Sequence, residues 1–391
     1  MSSSELSMRY GCNPHQVPAR CYRPGDDLPI RVLNDTPSYI NLMDALNAWQ
    51  LARELKQALG LPAAASFKHL SPAGAAVGVP LSNGLRQSML IRDDHLSPLA
   101  CAYARARGAD RLASFGDFIA MSDPVDISTA NLIRVEMSHG IIAPGYEEGT
   151  LEILSNKLGG TYKVLEIDHE YEPGETESRV LFGITLEQRR NDFIPGNEFF
   201  TNVVSARRKL TAEGRRDLTV ATIAVKYTQS NSVVLAVDGQ VVGAGAGQQS
   251  RVHCVRLAAD KADRWALRQH PKVRELKFAK GLKRSDKDNA IDLLFEDEIG
   301  PAEQSAWQAA FRELPEHLSR EERRDWLGQR GELAMSSDAF FPFRDSIDRA
   351  SRSGVEFVVE AGGSKGDESV IQAADEYGML VIFSGIRLFH H

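Results

Sequence analysis

The sequence has few cysteines and lacks a recognisable metal-binding pattern. Its 391 residues include four cysteines, at positions 12, 21, 101 and 254. No two of them form a CxxC pair, and no histidine lies at the spacing of a zinc ligand. We therefore expect free thiols in a reducing compartment and no zinc.

Long apolar runs and excess positive charge are also missing. No run approaches the roughly 20 residues that a membrane helix requires, and the Ser-rich start MSSSELSMRYG has no signal-peptide core. A net charge of -7 argues against a general nucleic-acid binder. These absences predict a cytoplasmic protein that neither spans a membrane nor binds nucleic acids in general, although a compact arginine cluster for one phosphate is compatible with them.

The first half of the chain alternates helical and strand patterns. Apolar residues at helical spacing predict a helix over residues 39–59, which Gly60 and Pro62 end. Residues 63–67 are typical of a short buried strand. Helices are predicted at 98–107 and 128–137, and a strand at 140–143.

The second half continues the same pattern after a polar, Pro/Gly-containing boundary near residues 192–197. Asp238-Gly239, between two β-branched runs, is a strong hairpin signal. The charge-rich residues 271–330 indicate solvated helices. The remaining predicted elements are helices at 217–226, 249–269, 344–353 and 368–377 and strands at 355–360 and 379–383, an α/β pattern.

Lys68-His69 is the dipeptide best suited to chemistry. It follows the predicted strand and precedes SPAG, which we interpret as a Pro-Gly turn. A lysine can stabilise a developing negative charge while the adjacent imidazole moves a proton. Transfer of an acyl group to a weak nitrogen nucleophile requires at least these two functions. A lone histidine after a strand is nevertheless more often a structural residue.

Several longer segments resemble one family. They are RYGCNPHQ, AAASFKHLSPAGAAVG, SFGDF, KYTQSNSV, GAGQQSRVH, SSDAFFPFRD and the terminal RLFHH. In this order they are similar to the transformylase module of the bifunctional purine biosynthesis protein. That module transfers a formyl group from 10-formyltetrahydrofolate to 5-aminoimidazole-4-carboxamide ribonucleotide (AICAR). The likeness runs from about residue 8 to residue 391, so we expect a standalone transformylase without the family's inosine monophosphate (IMP) cyclohydrolase domain.

The resemblance implies an α/β fold of two cytidine-deaminase-like α/β domains with a small helical insertion. The first domain would cover residues 1–195, the second 196–270 and 331–391, and the insertion 271–330. It also implies a homodimer with shared active sites, and a separate IMP cyclohydrolase could act on the product.

The family's site residues transfer to matching positions of this chain. His69 would be the general base and Lys68 the transition-state stabiliser. The AICAR contacts would be Arg9, Tyr10, Gly116, His139, Asn231, Arg251 and Arg387. The folate contacts would be Val252, Phe340, Asp345, Ser364 and Lys365, beside an aromatic wall that includes Phe341 and Phe343. A structural potassium ion would involve Val225, Thr228, Ser230, Ser232, Asp338, Leu388 and His390.

One difference from the family's pattern leaves the identity of the substrate open. Relatives have Asp at the position of His139, so recognition of the sugar differs in charge. The alternatives are a formyltransferase for a related aminoimidazole nucleotide and a sensor that binds AICAR without turnover. A zinc-dependent deaminase would need HxE and PCxxC motifs, and neither occurs.

Overall fold

The computed structural model describes residues 4–391, so the first three residues of the predicted first domain lie outside it. An α/β architecture is confirmed. The strands of the first half are β1 (Glu5–Met8), β2 (Ala19–Tyr22), β3 (Ile30–Asn34), β4 (Ala63–Lys68), β5 (Ser71–Val77), β6 (Asp117–Met121), β7 (Ser138–Ala143), β8 (Lys163–Ile167), β9 (Thr176–Leu181) and β10 (Ile184–Arg189). Its helices are α1 (Tyr39–Leu59), α2 (Asn83–Ser88), α3 (Pro98–Gly108), α4 (Ile127–Val135) and α5 (Thr150–Ser155).

The second half begins after a short 3₁₀ turn at Asn197–Phe200. Its strands are β11 (Val233–Val237), β12 (Gln240–Gly245), β13 (Leu333–Ser337), β14 (Val355–Glu360) and β15 (Leu380–Phe383). Its helices are α6 (Ala212–Lys226), α7 (Arg251–Leu267), α8 (Pro271–Arg274), α9 (Arg284–Leu293), α10 (Pro301–Gln308), α11 (Arg320–Leu327), α12 (Asp345–Ser351) and α13 (Asp367–Glu376).

One mixed sheet of eleven strands passes through both halves. Its order is β15-β14-β13-β11-β12-β5-β4-β6-β7-β8-β3. In each half a helix leads into an antiparallel hairpin, and three further strands follow that are parallel to one another. The two halves therefore repeat one topology, with β5 and β12 side by side at the centre. The domain boundaries and the likeness to cytidine deaminase stay predictions.

The two halves meet at an antiparallel junction. Ala76 of β5 pairs with Gln240 of β12, and the backbone N–H of Val77 donates to the carbonyl of Gly239 at 2.9 Å. Arg105, a fully buried residue of α3, crosses the junction and donates to the carboxylate of Asp238 at 2.7 Å. The predicted hairpin at Asp238-Gly239 is confirmed, and its turn forms part of this junction.

Successive side chains of each strand point to opposite faces of the sheet, so an apolar layer forms on each face. Ala63, Ala65 and Phe67 pack with α1 and α6 on one face of the sheet. Ala64 packs with α3 on the opposite face, which α7 covers in the second half. The sheet is thus buried on both sides.

Helices α8 to α11 form a separate apolar cluster around Trp307 and Phe311. A buried ionic contact joins this segment to the first half, since Arg111 donates to Asp288 of α9 at 2.8 Å. Arg268, at the end of α7, binds the same carboxylate at 2.5 Å. The predicted helical content of residues 271–330 is confirmed. No helix within residues 4–391 is both long and apolar enough to cross a membrane.

Most predicted elements form close to their expected bounds. The helix over 39–59 and the strand over 355–360 are confirmed without change. The helix predicted at 217–226 begins earlier, at Ala212, because Thr211 accepts a hydrogen bond from the N–H of Gly214 as its N-cap. The Pro-Gly turn predicted in SPAG is wrong, since these residues form β5 and the turn lies at His69-Leu70.

A glycine allows the closest approach of a helix to each hairpin. A Cβ added to Gly243 of β12 would lie 2.0 Å from the carbonyl oxygen of Ala258 in α7. The Gly243→Ala variant should therefore lower the free energy of unfolding by about 1–3 kcal/mol, through overpacking. Urea denaturation measures this. Gly174→Ala is the control, because nothing lies near a Cβ there, and a comparable loss in the control would contradict the explanation.

Candidate active site

The catalytic candidates lie on the tight turn between β4 and β5. Lys68 pairs with Ser71, which leaves His69 and Leu70 as the two turn residues. Both have positive φ, 54° and 62°. A two-residue hairpin of type I′ requires positive φ at both positions and favours Asn-Gly there. His-Leu is therefore a strained choice, and Leu70 in particular occupies a conformation that costs roughly 1–2 kcal/mol.

A buried carboxylate stabilises this turn. Asp44 of α1 is only 5% exposed, and its Oδ1 accepts a hydrogen bond from the backbone N–H of Leu70 at 2.8 Å. The same carboxylate interacts with the backbone N–H of His69, and the His69 imidazole lies close enough to act on it electrostatically. Burial raises the pKa of Asp44, while these contacts act in the opposite direction.

Lys68 is fixed against the loop that precedes β6. Its Nζ donates to the carbonyl of Phe115 at 2.7 Å. The next residue, Gly116, has φ of 78°, and a Cβ there would lie 3.1 Å from Cε1 of His139. The chain therefore needs glycine at this point, and Lys68, Gly116 and His139 come together.

These residues line a cleft of about 820 Å³. Arg9 and Tyr10 contribute to it, and the start of α1 closes one side. The full lining is Arg9, Tyr10, Asp35, Thr36, Pro37, Ser38, Ile40, Asn41, Asp44, Lys68, His69, Gly116, Phe118, His139 and Lys163. All six predicted site residues of the first half are thus neighbours in space, namely Arg9, Tyr10, Lys68, His69, Gly116 and His139.

Three cations and two carboxylates line the cleft, and one of the carboxylates, Asp35, pairs with Lys163 at 2.8 Å. Partial burial lowers the pKa of His139, and nearby cations lower it further. These cations are Lys163, Lys68 and Lys157. His139 is consequently neutral at pH 7 and able both to donate and to accept a hydrogen bond.

A second polar cluster begins α7. Arg251 donates to Oδ1 of Asn231 at 2.8 Å and forms an ion pair with the fully buried Asp338. The side-chain amide of Asn231 also donates to the carbonyl of Gln248 at 2.9 Å. One amide N–H of Asn231 remains for another partner.

Strand directions place both clusters at the same edge of the sheet. β4, β13, β14 and β15 end at this edge, whereas β6, β7, β8 and β11 begin there. We expected chemistry at the carboxyl end of β4, where Lys68-His69 lie, but this edge is the amino end of its neighbours β5 and β6. The N–H of Gln229 donates to Oγ of Ser71 at 3.3 Å and links the two clusters. Three strand spacings of about 4.8 Å separate β4 from β11.

The predicted folate residues lie farther along this edge. Phe341 is fully buried, whereas Phe340 and Phe343 are 41% and 67% exposed, so only two rings of the aromatic wall reach the surface. A Cβ at Gly366 would lie 2.3 Å from the carbonyl oxygen of Pro342, which shows that the loops carrying Phe343 and Ser364 are in contact. Asp345 and Lys365 are exposed, and Val252 lies in the first turn of α7.

Arg9 and Arg387 are both exposed and sit beside aromatic rings. The guanidinium of Arg9 lies 5.9 Å from the ring of Tyr10, and that of Arg387 lies 4.5 Å from the ring of Phe389. Neither forms an ion pair within residues 4–391. Both are therefore available to an anionic ligand.

The residues of the predicted potassium site are gathered between α6, β13 and the C-terminus. Ser230 and His390 exchange backbone and side-chain hydrogen bonds at 3.0 Å, and the N–H of Leu388 donates to the carbonyl of Asp338 at 2.8 Å. Oγ of Ser232 is buried without a hydrogen-bond partner. Val225 accepts from the N–H of Thr228 at 3.0 Å. Within the described residues no three His, Cys, Asp or Glu side chains form a metal-binding group.

Two acidic residues of this edge were missed in the sequence. Asp44 lies within an apolar helical stripe, where a charged residue is a signal of a buried polar contact. Glu360 ends β14 and is 1% exposed. Its Oε2 accepts from the N–H of Gly362 at 2.9 Å, while its Oε1 is buried without a partner. No local pattern distinguishes it from an ordinary strand-end glutamate.

The fold and the cleft define an α/β protein with a Lys-His pair set in a polar, nucleotide-sized pocket. The family model described as AICARFT/IMPCHase bienzyme matches residues 1–261. The chain therefore belongs to the AICARFT/IMPCHase family, which confirms the resemblance found in the sequence.

Two curated relatives are bifunctional purine biosynthesis proteins PurH. The protein of Magnetococcus marinus is 32% identical, over 98% of this chain and 59% of its own length. The protein of Xanthomonas campestris pv. campestris is 30% identical, over 99% of this chain and 58% of its own length. This chain thus spans about three fifths of the relatives that it matches.

Glu360 should make stability depend on pH. Burial raises its pKa to about 7, from 4.5. The folded state then binds more protons than the unfolded state between these values, so stability falls as pH rises through this range. The Glu360→Gln variant lacks this loss. The free energy of unfolding of the variant, relative to that of wild type, should therefore increase by up to about 3 kcal/mol from pH 5 to pH 8. Urea denaturation at each pH measures this difference. The exposed Glu321→Gln is the control, and a constant difference across pH would contradict the assignment.

Proposed function

We propose that this protein transfers a formyl group from 10-formyltetrahydrofolate to the 5-amino group of AICAR, as a step of IMP biosynthesis. The observation that supports this most directly is the placement of Lys68 and His69 together in one cleft with Arg9, Gly116 and His139. Membership in the family and the names of the relatives agree with this proposal.

The amine of AICAR is a weak nucleophile because its lone pair is delocalised into the ring. His69 accepts its proton as the nitrogen attacks the formyl carbon, and Lys68 stabilises the oxyanion of the tetrahedral intermediate. The new C–N bond to AICAR forms, the C–N10 bond of the folate breaks, and the proton passes to N10. The products are formyl-AICAR and tetrahydrofolate.

The described contacts suit a nucleotide monophosphate. Arg9 and Arg387 supply guanidinium groups that can form paired hydrogen bonds to phosphate oxygens. Tyr10 lies beside Arg9, and neutral His139 can bind a ribose hydroxyl. Asn231, oriented by Arg251, offers its remaining amide N–H to the carboxamide.

The folate would lie against Phe340 and Phe343, near the carboxylate of Asp345. A flat pterin ring packs well on aromatic side chains, and a carboxylate can accept from its N–H groups. Val252, Ser364 and Lys365 would complete this side. When bound, a potassium ion would supply structural stabilisation, and the unpartnered Oγ of Ser232 fits an oxygen-lined cation site.

A homodimer completes the proposal. The cleft lies on the face of the sheet covered by α1, whereas Arg251 begins α7 on the opposite face. The predicted AICAR contacts are thus divided across the sheet edge, which favours a site built from two chains. The hairpin of β9 and β10 also exposes apolar side chains, among them Val180, Phe182 and Ile184, and an isolated two-stranded hairpin needs a partner for such a surface.

The hairpin offers a test of the dimer. Phe182, at its tip, is fully exposed and has φ of 50°. Asn tolerates this conformation, so Phe182→Asn removes apolar surface and preserves the turn. We expect the dimer dissociation constant to rise at least tenfold by sedimentation velocity. Val135→Ser, an exposed position of α4, is the control. A monomeric wild type at micromolar concentration would refute the dimer.

The reaction is tested by measuring tetrahydrofolate release from 10-formyltetrahydrofolate in the presence of AICAR. Wild type should turn over, and His69→Ala should lower kcat by at least 10²-fold, the usual contribution of a general base. Lys68→Met should lower kcat with little change in KM. Unchanged kcat in His69→Ala would refute its role as the base.

His139 decides between AICAR and a related aminoimidazole nucleotide. Because the family resemblance implies Asp where this chain has neutral His139, an altered sugar or phosphate would suit it. If AICAR is the substrate, His139→Asp should retain turnover and raise AICAR affinity by calorimetry. A folded wild type that binds AICAR without turnover would favour the sensor instead.

A further inference from the structure

The repeated topology gives the protein two equivalent hairpin turns. The first is His69-Leu70, between β4 and β5, and the second is Asp238-Gly239, between β11 and β12. All four residues have positive φ, between 50° and 72°. Because the two hairpins run in opposite directions through the sheet, the turns lie at opposite edges.

An aspartate on the preceding helix binds each turn. Asp44 of α1 accepts from the N–H of Leu70 at 2.8 Å. Asp217 of α6 accepts from the N–H groups of Asp238 and Gly239 at 2.8 and 2.7 Å. The repeat thus includes a carboxylate cap as well as the topology.

The two turns differ in how well their residues suit the backbone. Asp-Gly is among the preferred pairs for this turn, since glycine adopts positive φ without steric cost. Leu70, which takes the place of glycine, has no such tolerance, because its β-carbon opposes the conformation. The first turn therefore depends on its cap, whereas the second turn is intrinsically stable.

We propose that Asp44 is a positioning residue that keeps His69 in its reactive orientation by capping a turn whose residues resist it. This inference rests on the proposed formyl transfer, in which His69 is the base. Asp44 acts through the backbone of His69-Leu70. Its burial makes the cap strong, because a hydrogen bond to a charged acceptor in a dry environment exceeds one exposed to water.

Four variants test this role. Asp44→Ala removes the cap, Leu70→Gly removes the need for it, and the double variant combines both. Asp217→Ala removes the equivalent cap from the other edge. We expect kcat, normalised to the number of AICAR sites measured by calorimetry, to fall at least tenfold in Asp44→Ala. KM for AICAR should change less than threefold.

Rescue separates positioning from general stability. The double variant should regain at least half of the wild-type kcat, and Leu70→Gly alone should remain within twofold of wild type. Asp217→Ala should lose thermal stability and keep its kcat. Wild-type kcat in Asp44→Ala, or a double variant as slow as Asp44→Ala, would overturn the proposal.

A spectroscopic measurement keeps this test independent of the reaction. In protein with ¹³C-labelled histidine, the ring signal of His69 is assigned by its loss in His69→Ala. This signal should shift or divide in Asp44→Ala and return in the double variant. If wild type does not turn over AICAR, the proposed function fails while the ring signal still decides the role of Asp44. An unchanged signal in Asp44→Ala would refute it.

Discussion

The antiparallel contact between β5 and β12 is the constraint on which the site depends. It joins an array of six strands to an array of five in one sheet, and it sets the directions of all the flanking strands. Because of those directions, the loops after β4, β13, β14 and β15 share one edge with the loops before β6, β7 and β11. Arg105 reinforces the junction, since it donates to groups on both sides of it.

The repeated topology allows the strained turn at this edge to be compared with an unstrained one. A two-residue turn is required to close each hairpin, and its backbone favours glycine. The second turn has glycine at Gly239, at an edge with no assigned chemistry. The first turn instead has Leu70 at the position equivalent to Gly239, directly after His69, whose side chain the proposed reaction needs. Both halves have the aspartate cap, but it compensates for backbone strain only in the first turn, which lacks glycine.

Much of the fold could be predicted from the sequence, because periodicity and capping are local properties. The stripe of α1 and the Asp238-Gly239 signal lie within short windows, and both predictions are confirmed. SPAG was misread because Pro72 and Gly74 usually mark turns. Here Gly74 is needed for contact with α3, since a Cβ would lie 2.0 Å from the carbonyl oxygen of Ala106. The partner of Asp44, Leu70, is distant in sequence, and the burial of Glu360 results from tertiary packing, so no local pattern contains either.

The charge of the cleft shows why net charge is a poor guide to ligands. The whole chain has a net charge of -7, yet three cations, Arg9, Lys68 and Lys163, line its cleft. Two carboxylates, Asp35 and Asp44, line it as well, and Asp35 pairs with Lys163. Charges on other surfaces are screened beyond about 8 Å at physiological ionic strength. The local cations therefore determine which ligands enter. Neutral His139 can donate and accept hydrogen bonds there without changing this balance of charge.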